Sequence, residues 1–97
     1  MELVSIKKDT DGKHKLVAVF KNKETGRSKT THFGAAGYTD YTLSKDKEKR
    51  ERYLQRHKSR EDWNNPITAG SLSRHILWGD TTSVAENIKA FKSKFKL

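Results

Sequence analysis

The sequence contains no cysteine and only one proline. A chain without cysteine has no disulfide, no thiol nucleophile and no thiolate-bound zinc, so packing and hydrogen bonds must hold the fold. Apolar residues are scarce, at 32% of 97 residues, which predicts a single domain with a small core. No apolar run approaches the roughly 18 residues of a membrane-spanning helix. The first residues also lack the basic-then-apolar order of a signal peptide, so we expect an intracellular protein without a membrane partner.

Motifs of the common enzyme classes are missing as well. There is no P-loop, no G-x-S-x-G and no dinucleotide-binding glycine pattern. The histidines are scattered, and no pair has the spacing of a helical metal site, so we predict neither a metal nor another cofactor. Asp40, which lies between two tyrosines, and His57 are the best candidates for catalysis, but we predict no enzyme activity. The four histidines are His14, His32, His57 and His75.

What the sequence has in excess is positive charge. Lysine and arginine number 21 against 12 acidic residues, a net charge of +9. Residues 44–60 alone hold eight basic and three acidic side chains, a net of +5. A basic segment on a basic chain is typical of proteins that bind nucleic acid. A solvent-exposed helix with pairs such as Glu48 and Arg52 is the structural alternative.

The first third of the chain predicts an antiparallel sheet. Strands are expected at about 2–8, 14–22 and 28–34, because turn signals at Gly12 and Gly26 separate three stretches rich in β-branched and apolar residues. Three strands need a partner packed on one face to be stable. The residues expected in the core of the sheet are Val4, Ile6, Leu16, Val17 or Ala18, and Phe20.

The rest of the chain predicts helices near 44–58, 66–78 and 82–95. Ser44, Asn65-Pro66 and Ser83 are the expected N-terminal signals. The fold class is therefore α+β: a three-stranded antiparallel N-terminal sheet (about 1–34) packed on about three C-terminal helices (about 44–97), in one domain over 1–97. The helix residues expected in the core are Leu54, Leu72, Ile76, Val84, Ile88 and Phe91.

Four motifs together resemble a known family. They are F-G-x-x-G-Y-T-D-Y-T at 33–42, K-D-x-x-K-R-x-R-Y-x-x-R-H at 45–57, W-x-x-P-x-T-A-G-x-x-S-R at 63–74 and I-L-W at 76–78. Over about 30–95 the chain is similar to short basic proteins encoded by large nucleocytoplasmic DNA viruses of algae and protists. The resemblance implies a viral protein without enzyme activity, located in the host cytoplasm or nucleus during infection or in the virion. The surface it implies consists of Gly37, Tyr38, Asp40, Tyr41, Arg50, Arg56, His57 and Arg74.

Charge and aromatic residues together predict a nucleic-acid-binding protein that is not an enzyme. On the helix near 44–58, one face would follow a phosphate backbone over about 17 Å, and DNA is preferred to RNA as the partner. Two alternatives stay open. One is an interaction or virion structural module, whose basic surface meets an acidic protein and whose helix 84–95 packs across a dimer. The other is a small nuclease. The residues predicted to contact nucleic acid are Tyr38, Tyr41, Lys45, Lys49, Arg50, Arg52, Arg56 and Arg74.

Overall fold

The computed structural model describes residues 1–97 and confirms the predicted α+β class. A three-stranded antiparallel sheet in the order β1-β2-β3 is followed by four short helices and a π-helical segment. None of the helices combines the length and the hydropathy that a transmembrane span requires. The elements are β1 Glu2–Lys8, β2 His14–Lys21, β3 Ser28–Ala35, α1 Tyr41–Ser44, α2 Lys47–Lys58, α3 Ala69–Leu72, the π-helical segment Ser73–Leu77 and α4 Val84–Phe95.

One core prediction in β1 is wrong. Val4 is 56% exposed, and Leu3 is buried instead. The pairing with β2 shifts between Leu3, which lies opposite Phe20, and Ser5, which lies opposite Val19. This β-bulge inserts one residue, so Leu3 and Ile6 can both face the core although they are three positions apart. Strict alternation counted back from Ile6 cannot reveal the bulge.

The helix predicted near 44–58 is two helices. Lys45 adopts the left-handed conformation (φ 55°) at the end of α1, and α2 begins two residues later. Asp46, not Ser44, caps α2, because its carboxylate accepts hydrogen bonds from the backbone N–H groups of Glu48 and Lys49. Lys45 therefore lies outside α2, and the continuous 17 Å row of cations that was predicted for this helix is shorter.

The helix predicted near 66–78 starts later and changes type. Thr68 caps α3 by accepting a hydrogen bond from the backbone of Ser71, so Asn65-Pro66 is not the helix start. From Ser73 the chain continues as a π-helical segment, in which the Trp78 N–H donates to the Ser73 carbonyl at 2.9 Å. The extra residue per turn changes the direction of the side chains that follow.

The core lies between one face of the sheet and the helices after it. Ala18 rather than Val17 is buried, and the predicted Leu54 is only half-buried, while its neighbour Tyr53 is buried. The predicted Ile6, Leu16, Val84 and Ile88 are partly buried and pack against the core. The apolar stripe of α4 thus packs within the chain. The buried cluster consists of Leu3, Ala18, Phe20, Phe33, Leu72, Ile76, Leu77 and Phe91.

Candidate nucleic-acid interface

A groove of about 980 Å³ lies beside α2. Helix α2 contributes Lys49, Arg52 and Arg56 to its lining. The end of β3 and the loop that follows contribute residues including Tyr38, whose ring is 73% exposed. Basic and aromatic side chains from distant parts of the sequence therefore share one concavity.

The three cations of α2 that line the groove are free to contact a ligand. Lys49, Arg52 and Arg56 are exposed, and none of them forms an ion pair with a carboxylate. They recur at spacings of three and four residues, which places them along one side of the helix. This part of the predicted basic row is present on α2, whereas Lys45 is exposed but does not line the groove.

An aromatic stack lines the groove beside these cations. The ring of Tyr53 lies between those of Trp78, at 4.2 Å and 5° from parallel, and His57, at 4.2 Å and 28°. Burial raises the pKa of the Tyr53 hydroxyl, with a smaller contribution from the negative charge of Glu61, so this phenol stays neutral. The stack joins α2 to the residue directly after the π-helical segment.

Asp40 and His57 both line the groove, but each is paired with another residue. The buried Asp40 accepts a hydrogen bond from the Lys15 ammonium at 2.6 Å and caps α1 through the backbone N–H and hydroxyl of Thr42. His57 Nδ1 lies 2.6 Å from a carboxylate oxygen of Glu61. The two residues that were considered for catalysis therefore have separate structural partners.

Arg50 and Tyr41 point inward rather than toward a ligand. Tyr41 is buried, and the Arg50 guanidinium lies 5.6 Å from the centre of its ring. Arg50 Nε donates to the carbonyls of Trp78 (3.2 Å) and Gly79 (2.9 Å), and Nη2 donates to Asp80 at 2.8 Å. This side chain joins α2 to the end of the π-helical segment.

Arg74 has a similar structural role. Its guanidinium lies 5.2 Å from the centre of a ring of Trp63, and Nη1 donates to the Trp78 carbonyl at 3.3 Å. Burial lowers the pKa of this guanidinium, and its Nε has no hydrogen-bond partner. We therefore leave Tyr41, Arg50 and Arg74 out of the interface proposed below.

Replacing Arg50 by lysine tests its structural role. A single ammonium cannot reproduce the fork that reaches three acceptors, so we expect Arg50→Lys to lower the free energy of unfolding by about 1–2 kcal/mol. The ion pair with Asp80 adds little, because that carboxylate is 90% exposed. Arg52→Lys, on an exposed residue of the same helix, is the matched control and should stay within about 0.5 kcal/mol of wild type in urea unfolding. Equal effects of the two substitutions would contradict this role.

Sequence reasoning missed two aromatic residues of the groove, Tyr53 and Trp78, and one side-chain cluster outside it. The stacking of Tyr53 on His57 was detectable, since the two are four residues apart on a helix, but Trp78 reaches the stack only through tertiary packing. The description of the histidines as scattered is wrong for His14 and His32, whose ring centres are 5.5 Å apart. Asp9 and Asp11 lie beside these rings, outside the groove.

Comparison with known proteins gives one match. Residues 4–57 match the sequence model of a family of unknown function, DUF5754, and so cover more than half of the chain. The chain belongs to DUF5754. The resemblance to short basic viral proteins covers about residues 30–95, so the DUF5754 match shares residues 30–57 with it. The match also covers most of β1 and all of β2. It also includes the α2 residues of the groove, whereas Trp78 lies beyond it. No curated protein and no solved structure matches the chain.

Proposed function

We propose that this DUF5754 protein binds nucleic acid without acting as an enzyme, and that α2 and the groove form the contact surface. The observation that carries the proposal is the position of Lys49, Arg52 and Arg56, exposed and without acidic partners, in the same groove as the exposed ring of Tyr38. The net charge of +9 adds a long-range attraction for any polyanion.

The cations of α2 are arranged for contact with a phosphate backbone. Lys49 and Arg56 are seven residues apart, which is about 10 Å along the helix. Because no acidic side chain has to be displaced, each phosphate contact gains the full entropy of counterion release. Three such contacts on duplex DNA correspond to a slope of about −2.7 when log K of binding is plotted against the logarithm of the salt concentration.

Tyr38 supplies a contact of a different kind. Its ring can lie against a base or sugar, and its hydroxyl can donate a hydrogen bond to a phosphate oxygen. DNA is the preferred partner because the cations of α2 can contact the phosphates that border the wide major groove of B-form DNA, whereas the major groove of A-form RNA is narrow. The contacts proposed here are with the backbone, so we expect little sequence preference.

A pair of charge-reversed double variants tests the position of the interface. We expect Lys49→Glu with Arg52→Glu to weaken binding of a random DNA duplex more than tenfold and to reduce the magnitude of the salt slope by about 1.8, the share of two contacts. Fluorescence anisotropy titrations at several salt concentrations measure both quantities. Lys92→Glu with Lys94→Glu on α4 changes the net charge equally and is the matched control, with a much smaller loss expected.

Each outcome of this comparison is informative. Equal losses in the two double variants would mean that the footprint is spread over the whole protein and that α2 is not the site. Full binding by the α2 variant, with an unchanged circular dichroism spectrum, would remove α2 from the interface. No binding of wild-type protein to DNA or RNA at low salt would overturn the function itself and favour an acidic protein as partner.

Catalysis is not part of the proposal. Both carboxylate oxygens of Asp40 already accept hydrogen bonds, from Lys15 and from Thr42, and the imidazole of His57 is paired with Glu61. We expect no cleavage of plasmid DNA or of RNA by the pure protein with Mg²⁺ or Mn²⁺. Cleavage that disappears in Asp40→Ala would instead establish a small nuclease.

We also propose a viral origin for the chain, supported by the four motifs between residues 33 and 78. The places of action consistent with nucleic-acid binding are the host cytoplasm or nucleus during infection, and the virion. Detection of the chain by mass spectrometry in purified virions, compared with infected-cell fractions, distinguishes packaging from a role inside the cell.

A homodimer through residues 84–95 is left out of the proposal, because Phe91 is buried and Val84 and Ile88 pack against the core of the same chain.

A further inference from the structure

Four potential metal ligands converge at one end of the sheet, outside the groove. Asp9 and Asp11 lie in the turn between β1 and β2, His14 is the first residue of β2, and His32 lies in β3. One ligand atom from each of the four side chains lies within 4.8 Å of the other three. The set combines two imidazoles with two carboxylates, so it is more than a group of acidic residues.

The turn orients both carboxylates toward the histidines. Asp9 Oδ1 accepts a hydrogen bond from the Asp11 N–H at 3.0 Å, and Asp11 Oδ1 accepts from the N–H groups of Lys13 and His14 at 2.8 and 2.9 Å. The other oxygen of each carboxylate faces an imidazole. Asp9 Oδ2 lies 2.5 Å from His32 Nδ1, and Asp11 Oδ2 lies 2.7 Å from His14 Nδ1 and 3.6 Å from His32 Nδ1.

The four side chains are close enough together to surround one small ion. Zinc bonds of 2.0–2.2 Å to nitrogen and oxygen in a tetrahedron separate neighbouring ligand atoms by about 3.3–3.6 Å. The 3.6 Å separation fits that range, whereas the 2.5 and 2.7 Å separations are hydrogen-bond distances. Binding of the ion therefore replaces these two hydrogen bonds and moves each imidazole away from its carboxylate. The Asp9 side chain is 4% exposed while both imidazoles are partly open to solvent, which leaves a route for the ion.

We propose that Asp9, Asp11, His14 and His32 bind one Zn²⁺ ion, through the Oδ2 atoms of the aspartates and the Nδ1 atoms of the histidines. Two imidazole nitrogens favour zinc over Mg²⁺ and Ca²⁺, which take oxygen ligands almost exclusively. Four protein ligands fill a tetrahedron and leave no position for substrate, so the site is structural. β1 and β3 do not pair with each other, and the ion joins the first turn to the third strand across β2.

Titration of the metal-free protein with Zn²⁺ tests the site. Isothermal titration calorimetry should give one ion per chain, and Zn²⁺ at one hundred times Kd should raise Tm by about 10 °C or more. His14→Gln and His32→Gln should each weaken Zn²⁺ binding at least tenfold. His57→Gln removes a histidine–carboxylate pair elsewhere in the chain and should bind Zn²⁺ like wild type. Mg²⁺ should leave Tm unchanged.

A measurement on the wild-type protein does not depend on whether the variants fold. In two-dimensional NMR spectra, one equivalent of Zn²⁺ should shift the ring resonances of His14 and His32 and leave those of His75 in place. Shifts at His57 or His75 instead, no binding at one equivalent, or undiminished affinity in folded His32→Gln would each overturn the proposal. None of these outcomes bears on nucleic-acid binding by α2, so the two proposals fail separately.

Discussion

Phe91→Ala is expected to lower the free energy of unfolding by about 3–5 kcal/mol. Phe91 lies in the middle of α4, is 1% exposed and belongs to the buried cluster. Its ring centre is 5.1 Å from that of Phe95 and 5.9 Å from that of His75, so the substitution removes ring contacts as well as buried area. For so small a domain this loss is a large part of the total stability.

Urea unfolding followed by circular dichroism measures this loss. Lys92→Ala, on the adjacent exposed position, is the control and should change the free energy of unfolding by less than about 0.5 kcal/mol. Phe95→Ala should fall between the two, because Phe95 is only partly buried. A midpoint of Phe91→Ala equal to that of wild type would show that the apolar stripe of α4 does not pack on this core.

Asn87→Leu should be the second most damaging substitution, with a loss of about 2–4 kcal/mol. The buried Asn87 amide donates from Nδ2 to the carbonyls of Ile76 and Thr81, both at 2.8 Å. Its Oδ1 accepts from the backbone N–H of Thr81 at 3.2 Å and from the Thr81 hydroxyl at 2.8 Å. Leucine has a similar volume but no polar atoms, so it leaves the buried carbonyl of Ile76 and the partly buried polar groups of Thr81 without this partner.

Asn64→Leu is the matched control, since Asn64 is exposed and its side chain forms no hydrogen bond within the chain. It should stay within about 0.5 kcal/mol of wild type in the same urea experiment. The contrast between the two substitutions isolates the buried hydrogen bonds from the general cost of replacing asparagine by leucine. A loss at Asn87 no larger than at Asn64 would mean that water replaces the amide at the four contacts.

The structural importance of Asn87 was not evident from the sequence, because local patterns do not show which distant backbone groups a side chain reaches. Position 87 lies between Val84 and Ile88 on a helix whose apolar stripe was predicted correctly. An asparagine there reads as a surface residue, because polar residues are mostly exposed. Only the chain crossing from the π-helical segment to α4 brings the carbonyl of Ile76 within reach of its amide.

At the candidate interface, helical spacing predicts part of the arrangement of the basic residues of α2, and tertiary packing decides the rest. Helical spacing correctly placed Lys49, Arg52 and Arg56 along one side of one helix. Arg50 was also predicted to contact nucleic acid, yet its guanidinium is turned toward the carbonyls of Trp78 and Gly79. Helical spacing places Arg50 off the side shared by Lys49, Arg52 and Arg56, but it does not identify the acceptors, which lie almost thirty residues further along the chain.

Local sequence was enough to determine the three strands, the turns between them, the α+β class and the apolar stripe of α4. These features depend on interactions between residues a few positions apart, which periodicity, turn residues and caps report directly. Tertiary structure alone decided that Val4 is exposed, that Tyr53 stacks on Trp78, and that His14 and His32 share a cluster with two aspartates. These outcomes depend on strand register and on how elements pack, and a one-residue bulge or an extra residue in a helical turn redirects every side chain that follows.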